Sequence, residues 1–171
     1  RISSPLVAMQ VEELAALNVK SILHIGIAGS IVDELKIGDI FISKGTLNET
    51  GVGKIYGYEF DDLISANTDF YKKLFSQLDN KSFSIKTGYH WTTDAPMMES
   101  IEKIRKFSSL GAKCVEMEAS GIFAVANKYD IPATSIYVIS DELHLGKWKQ
   151  GWQDKKYLTA IENIASFFTK S

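Results

Sequence analysis

The sequence predicts an α/β domain with helices packed on both faces of a sheet. Segments with helical spacing of apolar residues alternate along the chain with short, continuous apolar runs. The run Ala133 to Ser140 is β-branched and almost uncharged, too apolar for a sheet edge. The 171 residues contain three prolines and no repeat, low-complexity tract or Ser/Gly linker, which predicts one domain over residues 1–171.

Each element follows from its own pattern. Ser4-Pro5 reads as an N-cap and first helical position, with Val7, Val11, Leu14 and Leu17 then at helical spacing. Ser21 to Ile25 reads as a buried strand that ends at a turn, Gly26-Ile27-Ala28-Gly29. Ile37 to Ser43 is a second strand, and the glycines between Thr46 and Asp62 suggest an excursion or hairpin. Phe70 to Leu78 is helical. Phe83 to His90 is a strand running into Trp91-Thr92-Thr93-Asp94, and Pro96 with Ile101 to Phe107 predicts another helix. Lys113 to Val115 is a short strand before a helix with Ile122, Val125, Ala126 and Tyr129 on one face. Ala133 to Ser140 ends at Asp141-Glu142, and the last helix stacks Leu158, Ile161, Ala165 and Phe168.

Composition removes several function classes. The 19 basic and 21 acidic residues give no bulk electrostatic grip on nucleic acid. No apolar run reaches the roughly 18 residues of a membrane span. The one cysteine, Cys114, has no internal disulfide partner, which fits a reducing cytoplasm. The chain starts at Arg1 and enters an ordered pattern within four residues, so it is expected to be a piece of something longer.

In open α/β sheets ligands bind beyond the carboxyl ends of the strands. Gly26–Gly29, Thr92–Asp94, Glu116–Glu118 and Asp141 each follow a predicted strand, so four loops are expected to share one rim. The glycine turn can bring backbone N–H groups to an anion, although it lacks the spacing of either common nucleotide loop and equally suits a plain connection. Glu116-Met117-Glu118 offers carboxylates that can accept from a vicinal diol and a thioether to pack under a sugar; acidic residues also favour a helix N-terminus for its dipole. Asp141 ends a strand expected to be buried on both faces, where lost solvation favours a protonated general acid; the alternative is a cap or a pair with Lys147 or Lys149. Trp91, Trp148 and Trp152 suit either base stacking or packing. His24 and His90 read as satisfied histidines and Cys114 as inert. No Cys/His spacing indicates a metal, and there is no nucleophile elbow.

Taken in order, the clusters resemble the purine and uridine phosphorylase family. The residues that carry the resemblance are Gly26-Ile27-Ala28-Gly29-Ser30-Ile31, Ile37-Gly38-Asp39-Ile40, Val115-Glu116-Met117-Glu118-Ala119 and Ile139-Ser140-Asp141. It covers about Ser3 to the C-terminus and implies a three-layer α/β/α fold around a central mixed, mostly parallel sheet. It further implies cleavage of the N-glycosidic bond of a purine-type nucleoside by phosphate, or by water in the nucleosidase branch. Glu118 would take the ribose hydroxyls, Met117 would pack on the sugar and Glu116 would lie beside them. Asp141 would protonate or hydrogen-bond the purine, with Thr92, Thr93 and Trp148 on the base side and Asp94 structural.

Gly26, Ile27 and His24 would face the nucleophile. Phosphorolytic members commonly carry Arg and Thr where this chain has His24 and Ile27, which makes a poor dianion site and raises hydrolysis as the rival. No cofactor is implied, phosphate being a co-substrate if the reaction is phosphorolytic, and a homo-oligomer is implied as the assembly. The family's first phosphate loop lies upstream of the position matching Ser3. A non-catalytic nucleoside-binding or assembly relative is therefore a further alternative.

Overall fold

The computed structural model describes residues 3–79, 85–144 and 146–169. In chain order the elements are α1 (Ser4–Ala16), β1 (Ile22–Ser30), β2 (Ile40–Glu49), α2 (Gly51–Ile55), β3 (Leu63–Ser65), α3 (Thr68–Asp79) and β4 (Ile85–Thr93). After a 3-10 turn at Pro96–Met98 come α4 (Ile101–Ser109), β5 (Ala112–Glu116), α5 (Ala119–Lys128), β6 (Ala133–Glu142), β7 (Lys149–Gln150) and α6 (Lys155–Thr169).

Among the described residues the strands form one seven-stranded sheet in the order β3-β2-β4-β5-β1-β6-β7. The sheet is mixed, and its two longest ladders, β1–β6 and β2–β4, are parallel, as is β4–β5. The expected mixed α/β architecture is therefore present. The sheet also curls until β2 meets β6 in antiparallel register, Ile40 opposite Val138, so β2, β4, β5, β1 and β6 close a ring. Ala28, Phe41, Cys114, Tyr137 and Ile139 come from four strands of that ring and pack in one cluster, which fills its interior. Two helix pairs cover much of the outside, and α4 packs separately through Ile104 and Phe107 on Trp91 and Val115. α1 and α5 pack around Val7, Val11, Ile122 and Phe123, while α3 and α6 pack on Ile40, Ile42, Ile136 and Val138.

Several elements differ from expectation for identifiable reasons. Gly26–Gly29 is not a turn. It lies inside β1, which pairs with β6 from Ile22 to Ser30 and absorbs the irregularity as a register shift between Ala28 and Gly29. Ile37-Gly38 is a turn before β2, with Gly38 at φ +87° donating its N–H to the Ile139 carbonyl. Thr46–Glu49 continues β2, and Thr50 then caps the short α2 through its side chain. Ser4 is already helical, with Ser3 in the cap position. The buried stripe of α6 is Tyr157, Ala160, Ile164 and Phe168, leaving Leu158, Ile161 and Ala165 outside. Two apolar stripes compete on that helix, and packing against Ile136 and Val138 selects one. Phe83 and Ser84 of the predicted strand Phe83 to His90 lie outside the described residues.

Candidate active site

One cavity of about 710 Å³ opens where β1, β5 and β6 converge. β1 contributes residues 24–29, the β5–α5 junction contributes Val115 to Glu118, and β6 contributes Ser140 and Asp141. Pro96, Met97 and Glu99 close one side, and Leu143, Trp148 and Trp152 another. The lining thus brings together His24, Gly26, Ile27, Glu116, Met117, Glu118, Asp141 and Trp148 of the sequence-derived candidates.

Thr92 and Thr93 are not in that lining. β4 turns Thr92 inward, where its hydroxyl donates to Glu116 Oε1 at 2.5 Å, and Thr93 donates to Glu49 Oε2 at 3.0 Å. Both are buried and face the protein interior instead of the cavity, where they were expected on the base side. Asp94 accepts the Gly51 N–H at 2.8 Å and joins the end of β4 to α2. Trp91 is a packing anchor, stacked on Phe107 at 4.3 Å with its indole N–H on Glu49.

Glu116 is the hub beneath the cavity. Its Oε2 accepts the backbone N–H groups of Glu118 and Ala119, both at 2.9 Å, and the Tyr137 hydroxyl at 3.2 Å. Its Oε1 takes Thr92 and lies 3.3 Å from His90 Nε2. The carboxylate thus caps the N-terminus of α5 and is committed to protein donors. Burial pushes its pKa up, but His90, Thr92 and the charge of His24 together outweigh that, and it titrates below the usual range. His90 is a fully buried, bonded histidine, with Nδ1 3.0 Å from Ser43 Oγ.

Glu118 is differently placed. It accepts the Ser3 N–H at 2.7 Å on Oε1 and is only half-buried. Acceptor capacity remains on the cavity side, which suits a diol. Burial first, then repulsion from Glu116, raises its pKa. Ser4 Oγ donates to the Met117 carbonyl at 2.9 Å, so the start of α1 and the Met117-Glu118 corner hold each other.

At the opposite end Asp141 accepts from Ser140 Oγ at 2.6 Å on Oδ1 and from Trp148 Nε1 at 2.8 Å on Oδ2. Neither Lys147 nor Lys149 pairs with it; Lys149 bonds Glu142 instead. Two-sided burial of β6 stops at Ser140, and Asp141 is half-exposed to the cavity. Gly29 makes room for it: a Cβ there would stand 2.5 Å from Leu143 Cδ1 and 3.0 Å from Asp141 Oδ2. On β1 Ile27 faces the cavity, and burial holds the His24 imidazole below its usual pKa, hence neutral at pH 7. Cys114 is buried and its thiol is pushed well above its usual pKa by that burial, which makes it unreactive.

Glu99 carries no motif signal, since it lies in a Met-Met-Glu-Ser stretch that reads as a helix start. Only the folded chain places it in the cavity wall.

The model of the phosphorylase superfamily matches residues 2–169. The chain belongs to the phosphorylase superfamily. Among curated members of this nucleoside phosphorylase and nucleosidase family, the DeoD-type purine nucleoside phosphorylase of Bacillus cytotoxicus is 28% identical over 144 residues. That match covers 84% of this chain and 61% of the relative, so the chain spans about three fifths of the relative's length.

Among solved structures, the purine nucleoside phosphorylase of Toxoplasma gondii in complex with immucillin-H superposes with a TM-score of 0.83 at 23% identity. That superposition covers 98% of this chain and 68% of the other. A protein from Weissella paramesenteroides assigned as a methylthioadenosine nucleosidase gives 0.78 at 22% identity, covering 100% of this chain and 78% of the other. These structures establish the shared fold. Among the described residues no helix is long and apolar enough to cross a membrane.

Proposed function

We propose that this chain cleaves the N-glycosidic bond of a purine-type nucleoside. The observation that carries this reading is one cavity with Glu118 and Met117 at one end and Asp141 with Trp148 at the other. Glycoside cleavage passes through an oxocarbenium-like sugar, with electrons leaving toward the base. Glu118 would accept the ribose hydroxyls, and its charge would favour the developing cation. Met117 would pack on the sugar, and Asp141 would hydrogen-bond the base. Such placed groups act by orientation and by electrostatics prepared before the reaction.

Phosphate is the nucleophile that the names of the curated relatives suggest. A second reading, hydrolysis, is favoured by the charge of the wall. Among the described residues the lining holds Glu99, Glu116, Glu118 and Asp141 but no Lys or Arg. A phosphate dianion entering that field meets like charge and no cation, whereas water meets no such penalty. Incubation with inosine, adenosine and methylthioadenosine, with and without phosphate, tests both readings by base release. Release that requires phosphate selects phosphorolysis, and phosphate-independent release selects hydrolysis. No release from any of the three would overturn the proposal.

A further inference from the structure

His24 reads as a satisfied histidine in sequence, but the folded chain leaves it unsatisfied. Its Nδ1 is sealed from solvent and has no hydrogen-bond partner among the described residues. The ring packs edge-on against Tyr137 at 5.6 Å and leans along β1 over Gly26. A Cβ at residue 26 would stand 3.0 Å from His24 Cε1 and 3.2 Å from Nε2. Glycine there leaves the Cε1–Nε2 edge open toward the cavity that both residues line. Ser135, opposite His24 in the β1–β6 ladder, is also buried, and its Oγ lies near the Tyr137 hydroxyl without a well-formed bond. A proton on Nδ1 directed at Ser135 Oγ would leave the Nε2 lone pair facing the cavity.

The ladders of β1 set the imidazole against the two ends of the cavity. Gly29 pairs with Asp141 on β6 and with Val115 on β5. β5 runs antiparallel to β1, so the chain heads back toward His24 as it enters Glu116-Met117-Glu118. At about 3.3 Å per residue, Gly26 lies about 10 Å from Gly29. The imidazole edge thus stands beyond the sugar end, with Asp141 at the other. Water that displaces a base attacks the anomeric carbon from the face opposite that base. The carboxylates of the wall are otherwise engaged. Glu116 and Asp141 already receive hydrogen bonds on both oxygens, Glu118 holds the Ser3 N–H, and Glu99 stands near Asp141.

We propose that His24 Nε2 is the base that takes the proton of the attacking water. The inference rests on the hydrolysis reading of this cavity. The water oxygen bonds to the anomeric carbon, the C–N bond breaks with its electron pair going to the departing base, and one water proton passes to Nε2. The imidazolium then returns that proton to solvent and the base anion takes one up, so sugar and neutral base leave. At rest, burial first and the charge of His90 on β4 keep the imidazole neutral against the pull of Glu116 on β5. Once protonated, the ring faces the Glu116 carboxylate, and that charge favours the imidazolium.

Base release without phosphate from methylthioadenosine, adenosine and inosine tests this in the parent, His24→Gln, His24→Ala and Gly26→Ala. His24→Gln is expected to lower kcat by about 100-fold or more, the size of a lost general base, with KM within about threefold. Added imidazole is expected to raise kcat of His24→Ala at least tenfold, a rescue that a merely structural histidine would not show. Gly26→Ala, whose methyl covers the Nε2 edge, should lower kcat at least tenfold. In the parent, kcat/KM should fall as acid protonates His24 below its ordinary 6.5, and that limb should be shallower in His24→Gln.

A His24→Gln rate within threefold of the parent, or no rescue of His24→Ala by imidazole, overturns the base and leaves the cleavage reading standing. Release that requires phosphate does the same. No release by the parent from any of the three nucleosides overturns both.

Discussion

Replacing Glu116 tests whether the floor of the site depends on one buried carboxylate. In Glu116→Ala, the Glu118 and Ala119 N–H groups and the Thr92 and Tyr137 hydroxyls lose their shared acceptor. Leaving a buried donor unpaired costs about 1–3 kcal/mol. Partial rearrangement of the two hydroxyls brings the expected loss to about 4 kcal/mol, in line with breaking other buried charged networks. Glu116→Gln can keep a carbonyl toward the two N–H groups and present its amide to Thr92. It gives up only the charge-assisted part of these bonds, about 2 kcal/mol.

For a chain of this length, ~3 °C in Tm per kcal/mol converts these to drops of about 12 and 6 °C. Urea unfolding with the slope checked for constancy is the assay. Its pH dependence has a definite sign. The folded-state pKa of Glu116 lies below the ordinary 4.5, so its stabilisation is complete above that value. It is lost as the pH falls through the depressed value. The glutamine variant does not titrate there, so its deficit should shrink as acid takes the pH through the depressed value. A Glu116→Ala variant within 1 kcal/mol of the parent, or a deficit that grows with acid, would refute the hub.

Other perturbations reach the site by different routes. Gly29→Ala places a Cβ 2.5 Å from Leu143 and 3.0 Å from Asp141. Overpacking of this kind costs about 1–3 kcal/mol, and displacing Asp141 should lower kcat/KM at least tenfold, read by base release. At Gly121 a Cβ would stand 2.4 Å from the Ser4 carbonyl oxygen. Gly121→Ala should therefore push α1 from α5, release Ser3 from Glu118 and lower Tm by about 3–9 °C, measured by thermal unfolding. Glu118→Ala should weaken nucleoside binding at least 30-fold in calorimetry, the size of about 2 kcal/mol for a charged acceptor of two hydroxyls. An unchanged affinity would remove Glu118 from the sugar end.

Much of this arrangement was legible before folding. Ala133 to Ser140 contains no charge and could only be a central strand, and β6 is the strand that pairs with β1, β2 and β7. The Glu116-Met117-Glu118 cluster was found by its residue types, but the division of labour within it was not. Two glutamates one residue apart look alike in sequence; Thr92, Tyr137 and the α5 N–H groups make one a structural hub, while the other keeps acceptor capacity for the cavity. Thr92 was placed at the rim by its position after a strand, but spacing does not say which strands border the cavity, and β4 contributes no residue to its wall.

The sequence by itself determined the alternation of elements, the mixed α/β class and most of the chemistry-bearing residues that line the cavity. Local spacing and side-chain chemistry carry that information, and both are properties of short segments. Only the tertiary structure decided that the sheet closes through β2 and β6, that α6 buries Ala160 and Ile164 instead of Leu158 and Ile161, and that Glu99 stands with Asp141 in one wall. Each of these depends on contacts between segments far apart in the chain, where packing and desolvation choose among locally equivalent faces.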